Sequence, residues 1–89
     1  SDELKLDRRF VSRILTHERE LHIVRSTIEL AHALGQTVVA EGIEDEATYR
    51  MLAKLGCDIG QGYHLGRPQP FADLRQNLLQ FQRNRIGII

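Results

Sequence analysis

The amino-acid sequence predicts an α/β chain of three βα units, arranged as an arc of a parallel sheet. Three observations carry this. Short apolar runs alternate with longer amphipathic stretches, nearly three times over. The long stretches repeat their apolar residues at helical spacing. Gly35 and Gly56 follow the first two long stretches, where a helix stop belongs because glycine accepts the left-handed conformation. A strand, a helical crossover and a parallel strand then follow with the usual right-handed connection.

The elements read in order as follows. Residues 3–7 predict the first strand, with Leu4 and Leu6 on one face and Lys5 and Asp7 on the other. Residues 8–15 predict a short helical connection. Residues 18–34 predict the first long helix, with Leu21, Val24, Ile28 and Ala31 as its apolar stripe. His22, Arg25, Glu29 and His32 form its polar face. Residues 37–41 predict a second strand, apolar almost throughout, as in a parallel strand buried on both sides. The next helix spans residues 45–55, with Asp45 and Glu46 at its positive end. Residues 58–63 predict a third strand. A last helix opens near Pro70, a residue suited to a first helical turn, with Leu74, Leu78 and Phe81 as its inner stripe.

Composition narrows the function classes. The chain has 89 residues, enough for one small domain or part of a larger one. Twelve Lys and Arg balance twelve Asp and Glu, so no net charge argues for a nucleic-acid polymer or an acidic membrane as partner. The lone cysteine, Cys57, forms no internal disulfide and fits a reducing, cytoplasmic setting. It is expected to be a small buried residue. No apolar run approaches the roughly 18 residues that span a bilayer, and the first residues carry no signal pattern, so no direct membrane contact is expected.

In parallel α/β folds, functional groups collect at the carboxyl ends of strands. That rule selects Lys5 and Asp7, Glu41 and Glu44, and Gln61 and Tyr63. Glu41 is the sharpest of these: an apolar strand runs straight into a carboxylate, and a glycine follows. A carboxylate there needs a cation, a metal or a hydrogen-bond donor, and Lys5 on the neighbouring strand is a candidate partner. Gly60 and Gly62 flank Gln61; they admit a close ligand or simply tighten a strand. The four histidines lack the i, i+4 spacing of a helical zinc pair. His22 and His32 are expected to be solvated, His17 lies in a turn, and His64 alternates away from Gln61 and Tyr63.

Four segments together resemble the C-terminal third of an EAL-type cyclic di-GMP phosphodiesterase domain. They are Leu4-Lys5-Leu6-Asp7-Arg8-Arg9-Phe10-Val11, Val38-Val39-Ala40-Glu41-Gly42-Ile43-Glu44, Gly60-Gln61-Gly62-Tyr63 and Arg67-Pro68. The resemblance implies a partial TIM-type (β/α)8 barrel, with residues 1–89 as a C-terminal fragment of that domain. It implies hydrolysis of cyclic di-GMP to linear pGpG with two divalent cations, Mg2+ or Mn2+. Lys5 is then expected to hold the attacking water or a phosphate oxygen. Glu41 is expected to be a metal ligand or a base near the water, with ligand preferred. Glu44 braces a ligand-bearing loop, although a catalytic part for it stays open. Gln61 and Tyr63 line the substrate pocket, and Asp7 orients its neighbours.

The departures from the family pattern bound that expectation. The Glu-Ala-Leu strand, the asparagine and glutamate strands and the Asp-Asp-Phe-Gly-Thr-Gly motif are not in these 89 residues. A barrel of this type takes roughly 250 residues, and this chain supplies about three strands of its eight. One carboxylate does not fill two octahedral oxygen shells. The fragment alone is therefore expected to be inactive, which leaves its standing as an enzyme open. Two alternatives stand beside the phosphodiesterase part: a degenerate EAL module that binds cyclic di-GMP or a protein without cleaving, and a small structural α/β domain. An open barrel arc has an unpaired strand edge and an uncovered face, so self-association is expected.

Overall fold

The computed structural model describes residues 2–63 and 66–71. Its elements run β1 (Glu3–Leu6), α1 (Arg8–Val11), α2 (Glu18–Ala33), β2 (Thr37–Ile43), α3 (Glu46–Lys54), β3 (Ile59–Gly62) and β4 (Gln69–Pro70). The sheet order is β1-β2-β3-β4, with the first three strands parallel. β4 is antiparallel to β3, pairing Pro70 with Ile59 and Gln69 with Gly60. The segment at Pro70 is therefore strand rather than a helix start. A proline is tolerated there because β4 is the edge of the sheet among the described residues, with no further strand to which it must donate a ladder bond. The expected helix beyond it, with Leu74, Leu78 and Phe81, lies outside the described residues.

The helix ends are fixed by local chemistry. Asp45 caps α3, its Oδ1 accepting the Thr48 N–H at 2.7 Å. Asp7 caps α1 in the same way, accepting the Arg9 N–H at 2.8 Å. Asp7 is thus a cap with extended backbone, and β1 ends one residue before it. Both long helices stop in Schellman motifs. Gly35 has φ +76°, and the N–H groups of Gly35 and Gln36 reach the carbonyls of His32 and Ala31. Gly56 has φ +93°, and the N–H groups of Gly56 and Cys57 reach Ala53 and Leu52 in the same pattern.

One face of the sheet forms the core. Leu6, Val38, Ala40 and Ile43 pack with Val24, Ile28 and Ala31 of α2, Leu52 of α3, and Val11 and Ile14. The apolar stripe expected on α2 is the buried one, with Leu21 packed at its margin. Burial of each large aliphatic side chain here contributes on the order of 1.5–3 kcal/mol. A second stripe, Ile23 and Leu30 of α2 with its C-cap residue Leu34, is exposed. At 100° per residue it lies about 100° round the helix from the buried one.

β2 is longer than its sequence suggests. It passes through Glu41 and Gly42 to Ile43. Between Ala40, which pairs with Gly60, and Ile43, which pairs with Gly62, β2 carries one more residue than β3. This is a β-bulge, and Gly42 at φ +73° takes its left-handed position. Ala40 and Ile43 both reach the core because of that extra residue.

Candidate functional site

Register brings Glu41 and Gln61 to one end of one sheet face, with Asp7 just past the end of β1. Lys5 pairs with Val39, and Val39 with Ile59. Glu41 and Gln61 lie two residues further along β2 and β3, on the face away from the helices. Beyond these strand ends opens a cleft of about 590 Å³, lined by Asp7, Arg8, Arg9, Glu41, Gly42, Gln61, Gly62 and Gly66. Glu41 and Gln61 are half-buried in it.

The charged groups of the cleft are not equivalent. Asp7 is committed: Oδ1 also accepts from Arg9 Nε at 3.1 Å. The Arg9 backbone N–H, followed by its side chain, holds the Asp7 carboxyl below its usual range. Glu41 makes no hydrogen bond or ion pair among the described residues, so the suggested Lys5–Glu41 pair does not form. Lys5 is exposed on β1 and stands outside the cleft lining. Tyr63, at φ +37°, packs against the hydrophobic core and is likewise outside the lining. Glu44 faces a separate small cavity of about 40 Å³ with Ser12, Gly42, Asp45 and Thr48.

The residues present do not complete a metal site. Glu41 and Asp7 are the carboxylates of the cleft, and Asp7 is held by Arg9. Among the described residues no group of three or more His, Cys, Asp and Glu side chains is placed to hold a metal. Glu41 offers one oxygen ligand, whereas Mg2+ takes about six.

Two groups escaped the sequence. Arg8 leans its stem on Gly42 and enters the cleft wall; a β-carbon built on Gly42 falls 2.7 Å from its Cγ and Nε. The only sequence signal was a glycine directly after a strand carboxylate. At the opposite end of the sheet, Asp58 ties three elements together. Its Oδ2 accepts from Val38 N at 2.8 Å and meets His32 Nε2 at 2.7 Å. His32 is thus hydrogen-bonded rather than simply solvated, because Asp58, just before β3, lies beside the last turn of α2. Cys57 is buried as expected, and burial pushes its thiol pKa up to about 12. A groove between α1 and α2, lined by Arg9, Phe10, Arg13, Arg19, Glu20 and Ile23, matches the cleft in size but gathers no strand-end residues. Among the described residues no helix is long and apolar enough to cross a membrane.

Comparison with known proteins places this geometry. The family profile described as EAL domain matches residues 1–68. The cyclic di-GMP phosphodiesterase RocR of Pseudomonas aeruginosa is 43% identical over 68 residues, covering 76% of this chain and 17% of RocR. The probable cyclic di-GMP phosphodiesterase PdeA of Escherichia coli is 45% identical over 73 residues, covering 82% of this chain and 10% of PdeA. The chain thus spans a small part of the curated relatives it matches. The solved structure of the PaMucR phosphodiesterase in its c-di-GMP complex superposes with a TM-score of 0.70 at 38% identity. It covers 86% of this chain and 30% of that one.

Proposed function

We propose, from the premise that this chain belongs to the EAL domain family, that it forms the C-terminal part of a cyclic di-GMP-specific phosphodiesterase. The observation that carries this is the meeting of Glu41 and Gln61 in one cleft beyond the carboxyl ends of three parallel strands. These are the strand ends at which barrel enzymes collect their chemistry. In this proposal Gln61, with Tyr63 at the end of the same strand, contacts the dinucleotide. Lys5 holds a phosphate oxygen or the attacking water. Glu41 supplies one ligand to Mg2+ or Mn2+, whose remaining ligands come from outside these 89 residues. Those ions would supply charge neutralisation at the phosphodiester. Glu44, on the far side of Gly42, braces the neighbouring loop, and Asp7 orients Arg9 across the cleft mouth.

Because among the described residues only one cleft carboxylate is uncommitted, the 89-residue chain is proposed to bind without cleaving. Titration calorimetry with cyclic di-GMP, with and without Mg2+, reads binding, and chromatography of the same samples reads pGpG. Heat without product is the expected result. No binding sinks the substrate assignment, and product formation sinks the claim that the chain lacks a working metal shell. We further propose a cytoplasmic setting, in keeping with a single unpaired thiol. Self-association is supported by the edge of β1, which pairs with no further strand among the described residues, and by the exposed Ile23, Leu30 and Leu34. A monomer mass by light scattering at high concentration counts against it.

A further inference from the structure

We propose that Arg8 is a phosphate-binding residue of the cleft, its guanidinium set in place by the bare backbone of Gly42. The inference rests on the dinucleotide role proposed above and adds to it a specific anion contact.

Three consecutive residues leave β1, and the chain sends each a different way. Asp7 turns back to cap α1. Arg9 folds onto Asp7 through Nε and spends its charge on that carboxylate. Arg8 crosses to the neighbouring strand and lies along Gly42. A β-carbon there falls 2.7 Å from Arg8 Cγ and Nε and 2.9 Å from its Cβ. Those distances are shorter than side-chain packing allows, so the stem occupies the volume that any other residue at position 42 would fill. Cβ, Cγ and Nε of Arg8 all border that space, so the side chain, although exposed, runs beside the bare backbone of Gly42 from its base to the start of its guanidinium.

The described residues offer the guanidinium held this way no acceptor. Among the described residues it makes no hydrogen bond or ion pair, although its charge helps lower the Asp7 pKa. It lines the same cleft as Glu41 and Gln61. An arginine whose stem is fixed loses less rotamer freedom when its fork engages a ligand, and the planar fork matches two phosphate oxygens at once. A dinucleotide with two phosphodiesters offers that acceptor. A purely structural arginine here would be expected to fold onto Asp7, as Arg9 does.

The test titrates cyclic di-GMP into the 89-residue chain with 15N-labelled arginine side chains. Circular dichroism of each variant verifies folding. The Arg8 Nε–H resonance is expected to move along a saturating curve. Arg8→Gln is expected to weaken binding about tenfold or more, and Arg8→Lys to restore part of the loss, since a charge remains without the fork. Arg25→Gln, on exposed α2, is expected to change binding less than about twofold. Gly42→Ala keeps every charge but fills the seat, and is expected to weaken binding as well. If wild type binds and Arg8→Gln binds equally, the inference falls while the proposed function stands. If wild type shows no binding, both fall. A Gly42→Ala chain that folds and binds as wild type removes the seating argument.

Discussion

Replacing Gly62 by alanine tests whether one backbone contact holds the cleft together. Gly62 has φ +108°, and a β-carbon built on it falls 2.3 Å from the carbonyl oxygen of Ile43 and 2.9 Å from its nitrogen. Both atoms belong to β2, so no side-chain rotation relieves the overlap. The left-handed side of φ costs a non-glycine residue about 1–2 kcal/mol. Moving the strands apart sacrifices the Ile43–Gly62 pairing, at about 0.5–1.5 kcal/mol for a lost hydrogen bond. Together these predict a destabilisation of about 1.5–3.5 kcal/mol. Urea unfolding followed by far-ultraviolet circular dichroism reads the shift in midpoint, provided the slope is unchanged. Gln61 is the adjacent residue, so binding of cyclic di-GMP should weaken as well. A loss below about 0.5 kcal/mol, the range of an ordinary surface substitution, would refute the close-approach argument.

Other expectations concern the fold's supports. Asp58→Ala removes the acceptor for both Val38 N–H and His32; a loss of about 2–3 kcal/mol is expected from two bonds to one carboxylate, read by the same unfolding assay. Leu52 is fully buried, so Leu52→Ala should cost about 2–5 kcal/mol. Cys57, with its thiol pushed up to about 12, should resist iodoacetamide at pH 8 until urea opens the chain, whereas a free thiol reacts through its accessible thiolate. Mass spectrometry of the labelled chain reads the difference. The capping carboxylates Asp7 and Asp45 have lowered pKa values, mainly through backbone hydrogen bonds from Arg9 and Thr48. Their stabilisation is therefore present above the unfolded value of 3.8 and lost as pH falls through the depressed folded values. Thermal melts of Asp45→Asn should differ from wild type at pH 7 and converge with it in strong acid.

Much of this fold was legible because its signals are local. The stripe of Val24, Ile28 and Ala31 and the stops at Gly35 and Gly56 depend on residues a turn apart, and they were read to within a residue or two. The rule about strand ends placed Glu41 and Gln61 in one cleft without reference to any distance. What failed depended on partners far along the chain. The extension of β2 to Ile43 requires β3 to accept a bulged register. The strand at Pro70 exists because Ile59 and Gly60 are there to pair with it. His32 looked like a surface residue until Asp58, twenty-six positions away, came within 2.7 Å. Arg8 is similar, because its seat at position 42 is defined by an absent side chain and sequence spacing does not measure empty volume.

The bulge at Gly42 also changes how this strand counts. An extended chain assigns faces by odd and even, and one supernumerary residue inverts the parity of everything after it. Core positions in β2 are therefore 38, 40 and then 43, as the burial of Val38, Ala40 and Ile43 records. Deleting Gly42 would leave a continuous ladder available, but it would move Ile43 into the place of the bulge and return the count to simple alternation. The isoleucine would move from an odd-numbered core position to the even-numbered one after Ala40, and Glu44 would stand one residue closer to Glu41. The spacing between the two glutamates is thus not a free parameter of the loop. The extra residue sets how far past Glu41 the second acid stands, in its own cavity with Ser12, Asp45 and Thr48.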